Sequence, residues 1–222
     1  MVETTQGGHE ATAVILASGL TEGSLGLAGE GDLKGRGVSS CAHCDGPMFK
    51  DQPVVVVGGD DWAAQEAIEL AGVASQVTLV CEGGVPNVSQ ARRERLSALA
   101  NLSIKAGRVI ALTANDAGLE SVTVAGPGGE EQLTAQGVFV YTNRRPDIGY
   151  LAQAPRLDST GRPMVGQDLA TSSAGLFAIG DVRAGTRESV ALAAEDGRMA
   201  AQAAVFHCRS MSGSSCNRVV TA

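Results

Sequence analysis

The sequence predicts an α/β protein built on a parallel sheet of the dinucleotide-binding kind, and three observations carry that expectation. The run 54–57 is four consecutive valines, as suits a parallel strand buried on both faces. After Gly58 and Gly59, apolar residues recur at helical spacing (Ala63, Ala67, Leu70, Ala71, Ala74), and "QVTLVC" at 76–81 reads as a second strand. Together these make a βαβ unit of about 30 residues. The apolar runs in "ATAVILASG" (11–19) and "AGLFAIGDV" (174–182) each stop at small residues or Gly-Asp, the ending that marks the ligand edge of a parallel sheet.

The elements follow in order. "ATAVILASG" is a buried strand ending in a small-residue turn. "GEGDLKG" at 29–35 imitates a glycine-rich nucleotide loop, but its spacing is wrong and no strand precedes it. "SSCAHCDGPMFK" at 39–50 sets two cysteines two residues apart, followed by an acid and a glycine. Beyond the βαβ unit, "RRERLSALAN" continues as a helix with Leu96 and Leu99 on one side, and "LSIKAG" and "VIALTA" are strands. "SVTVAGPGGEEQL" is a hairpin turned by the glycines at 126–129. After "AGLFAIGDV", the stretch "RESVALAAEDGRMAAQAAVF" reads as a helix despite Gly197, which costs about 1 kcal/mol relative to Ala. The Ser-rich end "CRSMSGSSCNRVVTA" lacks periodicity and is expected to be disordered, with Cys208 and Cys216 as a conceivable second exchangeable pair.

The chain of 222 residues is 44% hydrophobic and 18% charged, enough for one large or two small cores. A net charge of −7 without a basic stripe argues against nucleic acid or an anionic membrane as partner. No apolar run approaches the roughly 20 residues of a membrane span, and the polar N-terminus leads us to expect no membrane anchor or secretory signal. Five cysteines, an odd number, do not make a secreted disulfide framework, so a cytoplasmic protein is expected. There a CxxC serves as a metal clip or a redox centre. Beyond Cys41 and Cys44, the remaining Cys and His residues are Cys81, Cys208, Cys216, His9, His43 and His207, with no second close pair, so no metal site is expected. Cys81 reads as a buried structural thiol.

The order "ILASG", "KGRGVSSCAHCDG", "VVVVGG", "GVFVYTNRRPD", "GLFAIGDV" resembles the low-molecular-weight thioredoxin reductases and the reductase half of alkyl hydroperoxide reductases, up to about Phe206. The resemblance implies an FAD/NAD(P)-binding Rossmann-like fold with three layers, ββα, an inserted NAD(P)-binding-type domain and an incomplete FAD domain. Residues 1–31 and 137–205 would be the FAD-domain parts, 32–136 the inserted domain carrying the CxxC, and 206–222 a disordered tail. Reduced nicotinamide would pass electrons to FAD, FAD to the CxxC disulfide, and the dithiol to a thioredoxin-like or other disulfide, in a homodimer. By the same resemblance Cys44 faces the flavin, Cys41 attacks the partner and Asp45 supplies or accepts the proton, although Asp is equally a helix cap. His43 is a solvated neighbour that could tune the pair. Gly180, Asp181 and Val182 would hold FAD, with Arg187, Glu188 and Ser189 near the flavin ring or the dimer neighbour.

The sequence departs from the family in three places. The family's N-terminal GxGxxG for FAD is not found ahead of "ILASG", so an incomplete FAD domain is expected. The turn Gly58, Gly59, Asp60, Asp61, Trp62, Ala63 has an aspartate where a glycine would let the pyrophosphate approach. One such carboxylate about 4 Å from a phosphate costs on the order of 4 kcal/mol at an effective dielectric near 20, against about 1 kcal/mol from the helix dipole, so NADPH binding should be poor unless Asp60 caps the helix instead. Glu82, where the family is basic, suits NADH over NADPH. An FAD-dependent dithiol oxidase using oxygen, or a noncatalytic remnant acting through protein contacts, are the alternatives.

Overall fold

The computed structural model describes residues 1–212 and 220–221. Along the chain run strands β1 (Val2–Thr4), β2 (Gly7–His9), β3 (Val14–Leu16) and β4 (Val38–Ser39), helix α1 (Ala42–Asp45), strand β5 (Pro53–Val57), helix α2 (Asp61–Leu70), strand β6 (Gln76–Cys81) and helix α3 (Gln90–Ser97). Strands β7 (Leu102–Ala106), β8 (Arg108–Asn115), β9 (Gly118–Gly126), β10 (Gly129–Thr134), β11 (Gly137–Val140) and β12 (Leu176–Ala178) follow, then helix α4 (Val190–Ser212) and strand β13 (Val220–Thr221). They form two compact units, one being Glu22–Arg144 and the other Met1–Thr21 with the chain from Arg145 onward.

The unit Glu22–Arg144 is a three-layer α/β fold around a parallel sheet in the order β4-β11-β5-β6-β7. The valines of β5 alternate in what they touch. Val54 and Val56 pack with Ala63, Ala67 and Leu70 of α2 and Leu96 of α3, while Val55 and Val57 pack with Val109, Val122 and Val124 of the antiparallel sheet β10-β9-β8. Both faces of the strand are thus covered, which is why it reads as an unbroken apolar run. Alanines on α2 bring that helix close, and Gly58 permits the turn into it: a Cβ there would lie 2.6 Å from Cβ of Ala63. The expected hairpin is β9–β10, with Gly126 opposite Gly129. The boundaries expected at 31/32 and 136/137 fall inside this unit, because Leu25 and Leu27 pack on its core and β11 is hydrogen-bonded between β4 and β5.

In the other unit the parallel sheet runs β12-β3-β13. Ala200, Ala204 and Cys208 of α4 pack on Ile15 and Phe177 across one face. On the other face Val14, Leu16 and Leu176 line a cavity of about 820 Å³ together with Tyr150 and Leu151. The helix extends past the end expected at Phe206, because the four-residue spacing of Ala200, Ala204 and Cys208 keeps an apolar stripe on the sheet. Residues 206–212 are therefore helical rather than disordered, and Val220 and Thr221 pair with Val14 and Ile15. Cys216 lies outside the described residues.

Candidate functional site

Strand β4 delivers the chain to the CxxC. Cys41 and Cys44 form a disulfide with their Cα atoms 5.3 Å apart. Cys41 is the N-cap of α1, and its sulfur accepts the N–H of Cys44 at 3.2 Å. The Ser39 hydroxyl donates to Asp45 Oδ2 at 2.6 Å and accepts from the N–H of Cys41 at 3.1 Å, tying acid and cysteine to one side chain. Asp45 makes no capping bond to the 3₁₀ turn Gly46–Phe49, so the capping role open to it in the sequence is not realised. Its carboxylate lines a pocket of about 160 Å³ with Ser39, Ser40, Lys34 and Glu22. Cys44, His43 and Met48 are exposed.

Helix α2 supports α1 from below. Glu66 Oε2 accepts from the N–H of Ala42 at 3.0 Å and from the Tyr141 hydroxyl at 2.8 Å, while the Ala42 N–H also reaches the Tyr141 oxygen at 2.9 Å. Tyr141 is buried, and burial first, then its bond to Glu66, push its hydroxyl far above the ordinary tyrosine range. It remains a neutral donor. One turn further on, Glu69 Oε1 sits 3.0 Å from His43 Nδ1. Neither Glu66 nor Tyr141 stands out in the sequence. The available signal is that one of only two tyrosines directly follows a buried strand, a place where a hydroxyl needs a partner.

At the glycine turn, Asp60 is the N-cap of α2 and accepts the N–H of Ala63 at 2.9 Å. Its other oxygen meets Arg144 at 3.3 Å, and that guanidinium lies 4.7 Å from the ring centre of Trp62. Asp61 pairs with Arg92 at 2.9 Å. The two carboxylates expected to repel a phosphate are therefore each matched by an arginine, and the unopposed repulsion expected of them is corrected to that extent. The helix donor a pyrophosphate would use is nevertheless already spent on Asp60. Glu82 is exposed and lines a cavity of about 390 Å³ with Gly58, Gly59 and Cys81.

In the other unit, β12 runs into the 3₁₀ turn Gly180–Val182. Gly180 has φ 62°, and a Cβ on it would lie 3.2 Å from Ala193 of α4, so turn and helix meet closely. Asp181 is partly exposed at this turn. The Ser189 carbonyl accepts from the N–H of Ala193 at 2.9 Å and so opens α4, whose first residues Val190, Ala191 and Leu192 are exposed. Glu188 meets Arg162 at 3.2 Å, and Arg187 is exposed. Asp196, unmarked in the sequence, accepts from Gly180 and Arg183 beneath the turn.

A parallel sheet between helices and an antiparallel sheet, with a glycine turn and a CxxC ahead of it, defines a nucleotide-fold protein with a dithiol centre. The sequence pattern described as pyridine nucleotide-disulphide oxidoreductase matches residues 2–206, and the chain belongs to that family. It is 34% identical over 208 residues to a thioredoxin reductase of Treponema pallidum, covering 93% of this chain and 67% of that protein. It is 32% identical over 175 residues to an alkyl hydroperoxide reductase component of Staphylococcus epidermidis, covering 78% of this chain and 34% of that one. Among solved structures it resembles the thioredoxin reductase of Lactococcus lactis (TM-score 0.80, 27% identity, 88% of this chain and 65% of that chain). It also resembles that of T. acidophilum (TM-score 0.79, 28% identity, 92% and 67%). The chain thus spans about two thirds of the thioredoxin reductases and a third of the alkyl hydroperoxide reductase component. No helix among the described residues is long and apolar enough to cross a membrane.

Proposed function

We propose that the chain carries the thiol–disulfide exchange centre of an FAD-dependent oxidoreductase of thioredoxin reductase type, acting on a thioredoxin-like or other disulfide. The observation that carries this reading is the Cys41–Cys44 disulfide on a single helical turn, with Cys44 exposed and Asp45 tethered beside it through Ser39. Reduction of that disulfide takes two electrons and two protons, and FAD, when bound, would supply the electrons. The thiolate of Cys41 then attacks a partner disulfide, forming a mixed disulfide and releasing one partner thiol. Cys44 attacks the mixed bond, releasing the second thiol and restoring the Cys41–Cys44 disulfide. Asp45, facing a small polar pocket, can hand a proton to the leaving sulfur.

The residues at Gly180, Asp181 and the exposed first turn of α4 fit one side of an FAD cradle: a carboxylate for a hydroxyl, and the start of a helix for an anion or carbonyl. At 58–63 the fit to a nicotinamide dinucleotide is poor, since Asp60 occupies the helix donor that would hold the pyrophosphate. That observation favours, as a second reading, an FAD-dependent dithiol oxidase, in which a substrate dithiol becomes a disulfide as oxygen becomes hydrogen peroxide. The test is thiol–disulfide titration. Cys41 and Cys44 should behave as one two-electron couple that Cys41→Ser and Cys44→Ser each abolish, and stoichiometric zinc in the reduced protein would overturn the reading.

A further inference from the structure

We infer that Glu66 is a positioning residue that holds the CxxC turn through the Ala42 N–H and, by its negative charge, disfavours the thiolate of Cys41, so that the disulfide is the favoured form. This rests on the exchange reading above and deepens it.

Helix α1 has one turn, and its backbone donors are divided between two acceptors of different charge. The Cys44 N–H points at the Cys41 sulfur, at 3.2 Å, where it would stabilise a thiolate. The Ala42 N–H, next in the chain to Cys41, is spent on Glu66 and Tyr141 instead. The arrangement is fixed from behind, because Tyr141 is 4% exposed and gives its hydroxyl to the same oxygen of Glu66. A carboxylate so held is bonded to the amide that directly follows Cys41. It is nearly indifferent to the neutral disulfide and to neutral thiols but repels a thiolate on Cys41, and a nearby like charge moves a pKa by about one unit or more. The other groups around the turn are Asp45 on the chain itself, bound to Ser39, and the His43–Glu69 pair, of which His43 is exposed. Glu69 has His43 as a counter-group; Glu66 has only neutral donors among the bonds described.

The experiment is equilibration of the full chain with dithiothreitol, each exchange moving two electrons and two protons from the reagent dithiol to the protein disulfide, while the reagent leaves as its cyclic disulfide. It is run at pH 6 and pH 9 on the wild type, Glu66→Gln, Glu69→Gln and Tyr141→Phe, alongside the pH profile of alkylation of the reduced protein. Gln keeps an acceptor for Ala42 and removes only the charge. For Glu66→Gln the alkylation midpoint should fall by about one pH unit. Its equilibrium should lie within about twofold of wild type at pH 6 and move about tenfold towards the dithiol at pH 9, which for two electrons is about 30 mV. Glu69→Gln and Tyr141→Phe, which leave the Glu66 charge in place, should stay within about twofold at both pH values. A Glu66→Gln equilibrium unchanged at pH 9, or shifted equally at both pH values as mere loosening would give, overturns the inference. If the wild type shows no two-electron couple, the exchange reading itself falls, and this inference with it.

Discussion

Asp196 accepts three charge-assisted or backbone bonds, from Gly180 N–H at 2.9 Å and from Arg183 Nε and Nη2 at 2.6 and 2.9 Å, in a site where it is 6% exposed. The Arg183 fork, more than any other contact, holds its carboxyl below the usual carboxylate range. The folded state therefore binds this proton less readily than the unfolded chain, whose Asp titrates near pH 3.9. The associated stability is present above about pH 4 and is lost as the pH falls below it. Asp196→Asn should cost about 3 kcal/mol in urea unfolding at pH 7, since it leaves a mostly buried guanidinium without its charge partner. The difference from wild type should shrink at pH 3; an equal difference at both pH values would exclude the ion pair as its source. In the sequence Asp196 sits in "AAEDGR" and reads as one more solvated helix position. Only the return of β12 onto α4 makes it a keystone, a tertiary fact no local pattern encodes. The Cys41–Cys44 pairing and the cap at Asp60 were legible because each is set by a neighbour three residues away.

Helix α2 shows the same division at the scale of an element. Its alanine face, its entry through Gly58 and its pairing with a strand on each side follow from spacing alone, since a helix laid on a sheet needs small residues at one stripe. What its N-terminus binds does not follow, because Arg144 and Arg92 come from elsewhere in the unit, 84 and 31 residues away from their aspartates. Asp60→Gly tests that terminus. Glycine is nearly as good an N-cap as aspartate, so stability should fall by only a few tenths of a kcal/mol. The Ala63 N–H would then face an incoming phosphate. NADH binding measured by calorimetry should tighten about tenfold, about 1.4 kcal/mol, with less gain for NADPH because Glu82 lines the same cavity. No gain for either nucleotide would mean that Asp60 is not what keeps the pyrophosphate out. Helix α4 reads too short in the sequence for a converse reason: a Ser-rich composition masks a four-residue stripe that only the underlying sheet reveals.

At the scale of the whole molecule, the unit Glu22–Arg144 is continuous in sequence and contains both faces of its sheet, each closed by its own apolar cluster. The CxxC, its Ser39 and Asp45 partners and the Glu66–Tyr141 support all lie within it. A fragment of residues 22–144 should therefore fold cooperatively and retain the Cys41–Cys44 couple, as followed by circular dichroism and dithiol titration; a molten fragment without a cooperative transition would show that the other unit is needed. Composition left one large or two small cores open, and where the chain divides was not readable locally, because β11 resembles a strand of either sheet until its neighbours are known.

Cys81 closes β6 beneath Gly59, 5% exposed, and burial raises its thiol above the ordinary cysteine range. In the native unit it is a thiol that reagents cannot see, while the reduced Cys41 and Cys44 lie at the surface turn. An alkylating pulse on reduced protein would thus count two sulfurs in residues 22–144 while the sheet is closed and three once it opens. The third label arrives only as fast as the barrier to opening allows, so the silent cysteine acts as a clock for the unit's own unfolding, read by mass on the same sample that reports the redox pair.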